Sequence, residues 1–135
     1  MKTPSQIVHK MMEGDHFSQW LGIVVQDISK GNCSLKMTVT AEMVNGFEIA
    51  HGGITYSLAD SALAFAANAH GLKCVSIETS SSHTRPVKIG QELIAVCTEL
   101  NRGKTLGIYE VVVKNSSEKT VALFKGTVHI SGEPW

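Results

Sequence analysis

The sequence has no long apolar run and no excess of charge of either sign. No window approaches the ~18 apolar residues that a transmembrane helix needs, and the N-terminus has no apolar stretch of signal-peptide length, so we expect a cytoplasmic protein. The formal net charge is +0 with His neutral, which favours neither nucleic acid nor a charged membrane surface as a partner. A chain of 135 residues is most simply a single domain, over residues 1–135.

Several familiar catalytic and metal-binding motifs are also absent. There is no GxSxG elbow, no GxxxxGK[ST] phosphate loop and no GxGxxG run, which disfavours a serine hydrolase, a P-loop enzyme and a dinucleotide-binding domain. The six histidines show no HExxH or similar spacing, so we expect no metal. The three cysteines are far apart and odd in number, which indicates reduced, mostly structural thiols rather than a disulfide framework: Cys33, Cys74 and Cys97.

Two kinds of hydrophobic periodicity are present. Apolar residues at helical spacing predict a short amphipathic helix between Pro4 and Gln19, with Ser5 as a possible N-cap. From Leu21 the period changes to two, and a hairpin turning at Lys30-Gly31-Asn32 is predicted. Four further strand-like runs follow a central helix, at 74–84, 92–100, 105–114 and 120–130.

The links between these later runs are short and rich in turn residues. Short links favour antiparallel neighbours, because a parallel crossover needs about a dozen residues or more. We therefore expect an α+β protein, in which a curved antiparallel sheet of about six strands wraps around the central helix. The run from Cys74 to Thr84 is polar on both faces after Ile77, so it forms either an edge strand facing water or the wall of a cleft or subunit interface.

The stretch from Asn45 to Gly71 carries the central helix, roughly 53–70, and the most chemistry. Gly52 and Gly53 stand at the helix start, where unpaired N–H groups lie at the positive end of the helix dipole. Such a site could form an oxyanion hole for acyl transfer, although two glycines after a histidine more commonly make only a tight turn. Asn45 and His51 flank this position, and both side chains can form hydrogen bonds to a carbonyl or a water.

Asp60 is the one carboxylate on this apolar, alanine-rich helix. It lies about 12 Å along the axis from Gly52, at about 1.5 Å per residue, so the two cannot easily serve one reacting atom within a chain. An antiparallel helix from a second subunit would bring Asp60 near the other Gly52, which predicts a composite site at a dimer interface. The alternative is an Asp held by Ser57, Ser61 or backbone donors.

The sequence resembles the hotdog-fold acyl-CoA thioesterases of the phenylacetate-degradation (PaaI) type. The matching residues run in the same order along nearly the whole chain, and the set of Asn45, His51-Gly52 and Asp60 is the most specific part. Other matches are Thr38-Val39-Thr40, Ser57-Leu58-Ala59, Asn68, Arg85-Pro86, Gly103-Lys104-Thr105 and 120–126.

The resemblance implies a hotdog fold that forms dimers and commonly dimers of dimers, with the sites between subunits. It implies that the Gly52 amide polarises the thioester carbonyl, and that Asp60 from the partner chain acts as base or nucleophile. The positions of Asn45 and His51 help to orient water and the helix start, and Ser76 lies near the reacting centre. Coenzyme A is then part of the substrate and no separate cofactor is expected. Substrate-binding residues are expected at Gly53, Ser76, Arg85, Arg102, Lys104, Thr105 and Lys125, although solvated surface charge is the commoner role for any one of the basic residues.

Phenylacetyl-CoA or a hydroxylated relative is the first expectation for the substrate, with short or medium acyl groups possible. The segment from Thr79 to His83 is more polar than an aryl pocket requires, which leaves the acyl group open. Two other functions stay open: a hotdog-fold hydratase or dehydratase acting on acyl thioesters, and a non-catalytic acyl-CoA-binding module.

Overall fold

The computed structural model describes residues 1–135 and contains three α-helices, a short 3-10 helix and six β-strands. The helices are α1 (Pro4–Gly14), α2 (His16–Trp20) and α3 (Gly52–Asn68), and the 3-10 helix is Ala41–Met43. The strands are β1 (Val24–Ser29), β2 (Asn32–Thr38), β3 (Leu72–His83), β4 (Glu92–Arg102), β5 (Leu106–Asn115) and β6 (Thr120–Pro134). The predicted central helix is α3.

The strands form one antiparallel sheet in the order β1-β2-β4-β5-β6-β3. Helix α3 packs against all six of them. Since a flat sheet of this width would be about twice as wide as a helix, the sheet has to curl around α3 to make these contacts. The predicted hotdog architecture is confirmed. The core lies between α3 and the inner face of the sheet, where every second side chain of a strand is buried, as at Leu93, Ala95 and Cys97.

Small side chains let α3 lie close to the sheet. Ala59, Ala62 and Ala66 on the helix are completely buried. On β6, a β-carbon at Gly126 would lie 2.6 Å from Cδ2 of Leu63, which is a steric overlap. The glycine therefore lets the leucine of α3 pack directly onto the strand backbone.

Strand β3 forms one edge of the sheet and pairs with β6 alone. The edge position that the polar pattern suggested is therefore correct. Val75 and Ile77 on this strand are 64% and 58% exposed, which leaves apolar surface beside an unpaired strand edge. Such an edge is a natural place for pairing with another chain, so the interface alternative also remains open.

The expectation that short links join neighbouring strands is wrong for the link between β3 and β4. Strand β4 pairs with β2 and β5, whereas β3 lies at the far edge, so residues 84–91 cross between separated strands. The crossing passes the start of α3, where the Val87 carbonyl accepts a hydrogen bond from Ala50 N–H at 2.6 Å. Eight extended residues can span about 25 Å, enough to pass the end of one helix.

The N-terminal prediction needs two corrections. The N-cap of α1 is Thr3 rather than Ser5, because Pro4 occupies the first helical position, where its missing N–H costs nothing. The Thr3 hydroxyl accepts from Gln6 N–H at 3.2 Å, and the Gln6 side chain accepts from Thr3 N–H at 2.9 Å. The helix also stops at Gly14, since Asp15 caps the separate helix α2.

A polar cluster lies beyond the C-terminal end of α3. A single carboxylate oxygen of Glu99 accepts a hydrogen bond from the fully buried Tyr109 at 2.6 Å and lies 2.7 Å from Nε2 of His70. Arg102 donates to the same tyrosine hydroxyl at 3.5 Å. Desolvation by itself would raise the pKa of Glu99, but the hydrogen bonds from Tyr109 and His70 and the charges of His70 and Arg102 outweigh it, and the pKa is lowered.

Candidate active site

The start of α3 is held by His51, which is its N-cap. Nδ1 of His51 accepts a hydrogen bond from Gly53 N–H at 2.9 Å, and the His51 carbonyl accepts from Ile54 N–H at 2.8 Å. The His51 N–H in turn donates to the Met43 carbonyl at 2.8 Å. Because Nδ1 is an acceptor, the neutral ring carries its proton on Nε2. The hydrogen bond to His51 uses the Gly53 N–H, so only the Gly52 N–H is left for a ligand.

The Gly52 N–H has no hydrogen-bond partner within the chain. Gly52 is the first residue of α3, so no helical carbonyl precedes it by one turn, and no other group accepts from it. It lines a cleft of about 400 Å³ together with Asn45, Thr55 and Arg85, which we call the Gly52 cleft. An unpaired N–H at the positive end of a helix dipole can polarise a carbonyl placed in this cleft.

Asn45 shapes the loop that leads to the Gly52 cleft. Its side-chain oxygen accepts hydrogen bonds from Phe47 N–H at 2.9 Å and Ile49 N–H at 3.4 Å. Glu48, inside this loop, adopts a left-handed φ of 61°. The side-chain amide group of Asn45 has no partner, so it is the part of Asn45 that a ligand in the cleft can use.

The carboxylate of Asp60 has no hydrogen bond or ion pair within the chain. The two neighbouring serines that could have held it are otherwise engaged: Ser57 donates to the Gly53 carbonyl at 2.6 Å, and the Ser61 hydroxyl is 2.8 Å from that of Ser18. The alternative of a structurally satisfied aspartate is therefore wrong for the single chain. Desolvation by burial raises the pKa of the Asp60 carboxyl above its ordinary value, which makes its ionised form a stronger base.

Asp60 opens into a different cleft from Gly52. This second cleft, the Asp60 cleft, has a volume of about 250 Å³ and is lined by Met11, Leu63, Asn68 and Ser76 among others. The chain thus brings Asp60 together with Ser76, and Gly52 together with Asn45 and Arg85, but it does not bring the two sets together. Each cleft holds one half of the predicted chemistry.

The remaining residues predicted to bind substrate are scattered in one chain. Arg85 lines the Gly52 cleft. Arg102 instead belongs to the polar cluster of Glu99, Tyr109 and His70, which we call the Glu99 cluster. Lys104 and Thr105 are exposed in the turn between β4 and β5. Lys125 lies inside β6 and points away from the helix, beside Ser80 and Glu110.

One residue of the Gly52 cleft was not predicted from the sequence. His83, the last residue of β3, lies against Gly52, and its Nδ1 is 3.2 Å from the Thr55 hydroxyl. The available signal was the alternation of Thr79, Ser81 and His83, which share one face of the strand. Which face this is depends on the pairing of β3 with β6, which the sequence did not reveal.

A family model described as the thioesterase superfamily matches residues 47–122, a span that includes His51, Gly52, Asp60 and Ser76. The chain belongs to the thioesterase superfamily. Within this superfamily it is 39% identical to the acyl-coenzyme A thioesterase PaaI of Escherichia coli K12, over 94% of this chain and 91% of that protein. It is 27% identical to human acyl-coenzyme A thioesterase 13, over 93% and 92% of the two chains.

A solved thioesterase structure shows the same fold. The E. coli PaaI protein from the phenylacetic acid degradation operon superposes with a TM-score of 0.95 and 38% identity, over 97% of this chain and 95% of that one. These matches confirm the predicted PaaI-type hotdog thioesterase, and with it an enzyme of the acyl-CoA thioester hydrolase class. None of the three helices combines the length and apolarity that a membrane span requires.

Proposed function

We propose that two copies of this chain form composite sites that hydrolyse an acyl-CoA thioester to a free acid and coenzyme A. The observation that carries this proposal is that the free Gly52 N–H and the unpaired Asp60 carboxylate lie on one helix but open into separate clefts. A second α3, running antiparallel beside the first, would place each Asp60 opposite the other chain's Gly52. Each dimer would then contain two sites.

In the proposed reaction the thioester carbonyl oxygen accepts a hydrogen bond from Gly52 N–H. Asp60 of the partner subunit takes a proton from a water molecule, and the water oxygen attacks the carbonyl carbon. Gly52 N–H then stabilises the negative charge on the tetrahedral oxygen. When the C–S bond breaks, the thiolate of coenzyme A recovers the proton, so that acid and thiol are released. Direct attack by Asp60 would give the same products through an anhydride.

Two surfaces of the chain support the proposed oligomer. The unpaired edge of β3, with exposed Val75 and Ile77, suits pairing of two chains. On the outer face of the sheet, Val96 pairs with Val112 and Val112 with Leu123, and Val96 and Leu123 are 46% and 47% exposed. This second apolar surface suits the packing of one dimer on another. We therefore propose a dimer of dimers. We also propose that the enzyme is cytoplasmic.

For the acyl group we propose phenylacetyl-CoA or a hydroxyphenylacetyl-CoA as the first substrates to test. Support comes from the similarity to the E. coli PaaI protein, which is described as part of the phenylacetic acid degradation operon. In this proposal Arg85 and, from the partner subunit, basic residues such as Arg102 and Lys104 hold the phosphates of coenzyme A.

The test is turnover of a panel of acyl-CoAs, with the released thiol measured by a thiol reagent. We expect the wild type to hydrolyse at least one aryl or short-chain acyl-CoA, and Asp60→Asn to lose at least 100-fold in kcat, roughly the effect of removing a proton-transfer group. Binding without turnover would instead indicate a non-catalytic module. Hydration of an enoyl thioester without release of thiol would indicate a hydratase.

A further inference from the structure

His83 forms the wall of the Gly52 cleft on the side of β3. In the sheet it is paired with Ala122, which is completely buried. Directly paired residues of an antiparallel sheet point to the same face, so the imidazole lies on the inner face, beside α3. Its Nε2 is 3.2 Å from the point where a β-carbon on Gly52 would lie. The space next to Gly52 is therefore also the space next to Nε2.

The contacts of Thr55 assign the proton of the neutral His83 ring. The Thr55 hydroxyl lies 3.3 Å from the Gly52 carbonyl oxygen and 3.2 Å from Nδ1 of His83. A carbonyl can only accept, so the single hydroxyl hydrogen goes to Gly52 and the hydroxyl oxygen accepts from Nδ1–H. Nε2 then carries a lone pair. It has no partner in the chain, and it is a hydrogen-bond acceptor directed at the Gly52 cleft.

The other polar side chains on the inner face of β3 cannot accept a hydrogen bond from a ligand in the Gly52 cleft. The hydroxyl of Thr79 is hydrogen-bonded to that of Tyr56. The hydroxyl of Ser81 is buried without a partner, so a ligand in the cleft does not reach it. His83 is thus the one residue of this face with a free polar atom open to the Gly52 cleft.

We propose that His83 determines acyl specificity: its Nε2 accepts a hydrogen bond from a hydroxyl on carbon 2 or 3 of the acyl group, next to the thioester carbonyl. This inference rests on the proposed function, because it places the carbonyl at Gly52 N–H. Nε2 of His83 is a neutral hydrogen-bond acceptor beside the position of the carbonyl oxygen, so the substrate has to supply the donor. In an acyl group, a hydroxyl on carbon 2 or 3 supplies one within reach of both Gly52 and His83. A hydroxyl at the far end of an aromatic ring does not.

Matched substrates isolate this one contact. Mandelyl-CoA is phenylacetyl-CoA with a hydroxyl on carbon 2, and 4-hydroxyphenylacetyl-CoA carries its hydroxyl at the far end of the ring. The readout is the ratio of kcat/KM for mandelyl-CoA to kcat/KM for phenylacetyl-CoA, with the pair 3-hydroxybutyryl-CoA and butyryl-CoA measured in parallel. We expect His83→Phe to lower at least one of these ratios by about 3- to 10-fold, the effect of one neutral hydrogen bond. The ratio of kcat/KM for 4-hydroxyphenylacetyl-CoA to kcat/KM for phenylacetyl-CoA should be the same in His83→Phe as in the wild type.

Three further variants distinguish a contact with substrate from a role in folding. His83→Gln keeps an acceptor near the position of Nε2 and should restore much of the lost ratio. Thr55→Val removes the group that holds Nδ1–H, so it should lower the ratio, whereas Thr55→Ser should keep it. If the wild type hydrolyses these thioesters and His83→Phe leaves both ratios unchanged, the inference is wrong while the proposed function stands. If the wild type hydrolyses other acyl-CoAs but none of these, the inference alone is wrong. If it hydrolyses no acyl-CoA at all, the proposed function is wrong as well.

Discussion

Gly52 and Asp60 lie on the same helix, α3, but they open into different clefts of the chain. The cleft of Gly52 contains a free N–H donor, and that of Asp60 contains a carboxylate with no hydrogen bond or ion pair. About two helical turns separate them, or about 12 Å. Neither cleft therefore holds a complete set of groups for acyl transfer, which is the reason to expect that the enzyme works as a dimer.

The Gly52 amide can be removed by a substitution that the backbone tolerates. Proline is favoured at the first position of a helix, and His51, with φ −56° and ψ 140°, already has the extended conformation that a residue before proline needs. We expect Gly52→Pro to lower kcat by about 100- to 1,000-fold, the usual effect of losing one oxyanion donor. Steady-state kinetics with the best acyl-CoA measures this.

The matched control is Gly52→Ala, which keeps the N–H. Its β-carbon would lie 3.2 Å from Nε2 of His83, at the end of a side chain that can move slightly. It should retain most of the activity that Gly52→Pro loses. Equal loss in both variants would show that bulk in the cleft, rather than the amide, determines the rate.

Asp60 should lower stability at neutral pH. Desolvation raises the pKa of the Asp60 carboxyl in the native chain above the ordinary value of 3.8. At a pH between 3.8 and the raised pKa, the native chain binds more protons than the unfolded one, so stability falls as the pH rises through this window. Above that window the wild type bears the full cost of an ionised, partly buried carboxylate. We expect Asp60→Asn to have a higher Tm than the wild type at pH 7, with a difference that shrinks as the pH falls towards 3.8.

Thermal unfolding of the two proteins across this pH range is the measurement. The exposed Asp27, whose carboxylate accepts a hydrogen bond from Ile28 N–H at 3.0 Å, gives the control: Asp27→Asn keeps an acceptor there and should change Tm at pH 7 much less than Asp60→Asn does. A lower Tm for Asp60→Asn at pH 7 would mean that the carboxylate has a stabilising partner in the assembled enzyme.

The Glu99 cluster should stabilise the fold and lose this effect in acid. Because the pKa of Glu99 is lowered from 4.5, its contribution is fully present above that value and is lost as the pH falls through the lowered pKa. We expect Glu99→Gln to reduce the free energy of unfolding by about 1–3 kcal/mol at pH 7, since a charged acceptor for Tyr109 and His70 is replaced by a neutral one.

Urea unfolding at pH 7 and in acid tests this prediction. Glu13, which is exposed on α1 and lies 3.1 Å from His9, is the comparison, and Glu13→Gln should change stability by less than about 1 kcal/mol. Equal effects of the two substitutions would contradict the assigned role of the cluster.

Gly126 should be needed for the packing of α3 on the sheet. A methyl group there would overlap with Leu63, which is 1% exposed and has little room to move, so we expect Gly126→Ala to cost about 1–3 kcal/mol. At Gly132, on the same strand, a β-carbon would have no neighbour within 4 Å. Unfolding of Gly132→Ala should therefore resemble that of the wild type, and a similar loss in both would show that strand flexibility, not packing, is responsible.

The local pattern of the sequence predicted most of the fold. The alternation in β2 and β4, the Ala-rich face of α3 and the turn at Gly31, with φ 81°, are each determined by neighbouring residues. The link between β3 and β4 was mispredicted because the order of strands in a sheet depends on contacts between distant segments. The same contacts hid His83, whose position is set by pairing with Ala122, about forty residues later.

The candidate site was predictable where spacing along one helix determined it. The separation of Gly52 and Asp60 follows from the helical rise, and the structure confirms that both lie on α3. The hydrogen bond from Gly53 to His51 was not predictable, since it requires the ring to fold back over the first helical turn. It leaves one amide, rather than two, available at the helix start.

The most direct test of the composite site is complementation between two inactive variants. Gly52→Pro and Asp60→Asn chains are co-expressed with different affinity tags, and the mixed dimers are purified through both tags. A mixed dimer has one site with Gly52 from one chain and Asp60 from the other, and one site with neither. We expect the doubly tagged protein to recover up to about half of the wild-type kcat, because one site in two is intact in each mixed dimer, while any unmixed dimers within a dimer of dimers stay inactive. Mixed dimers as inactive as either parent would contradict a site shared between subunits.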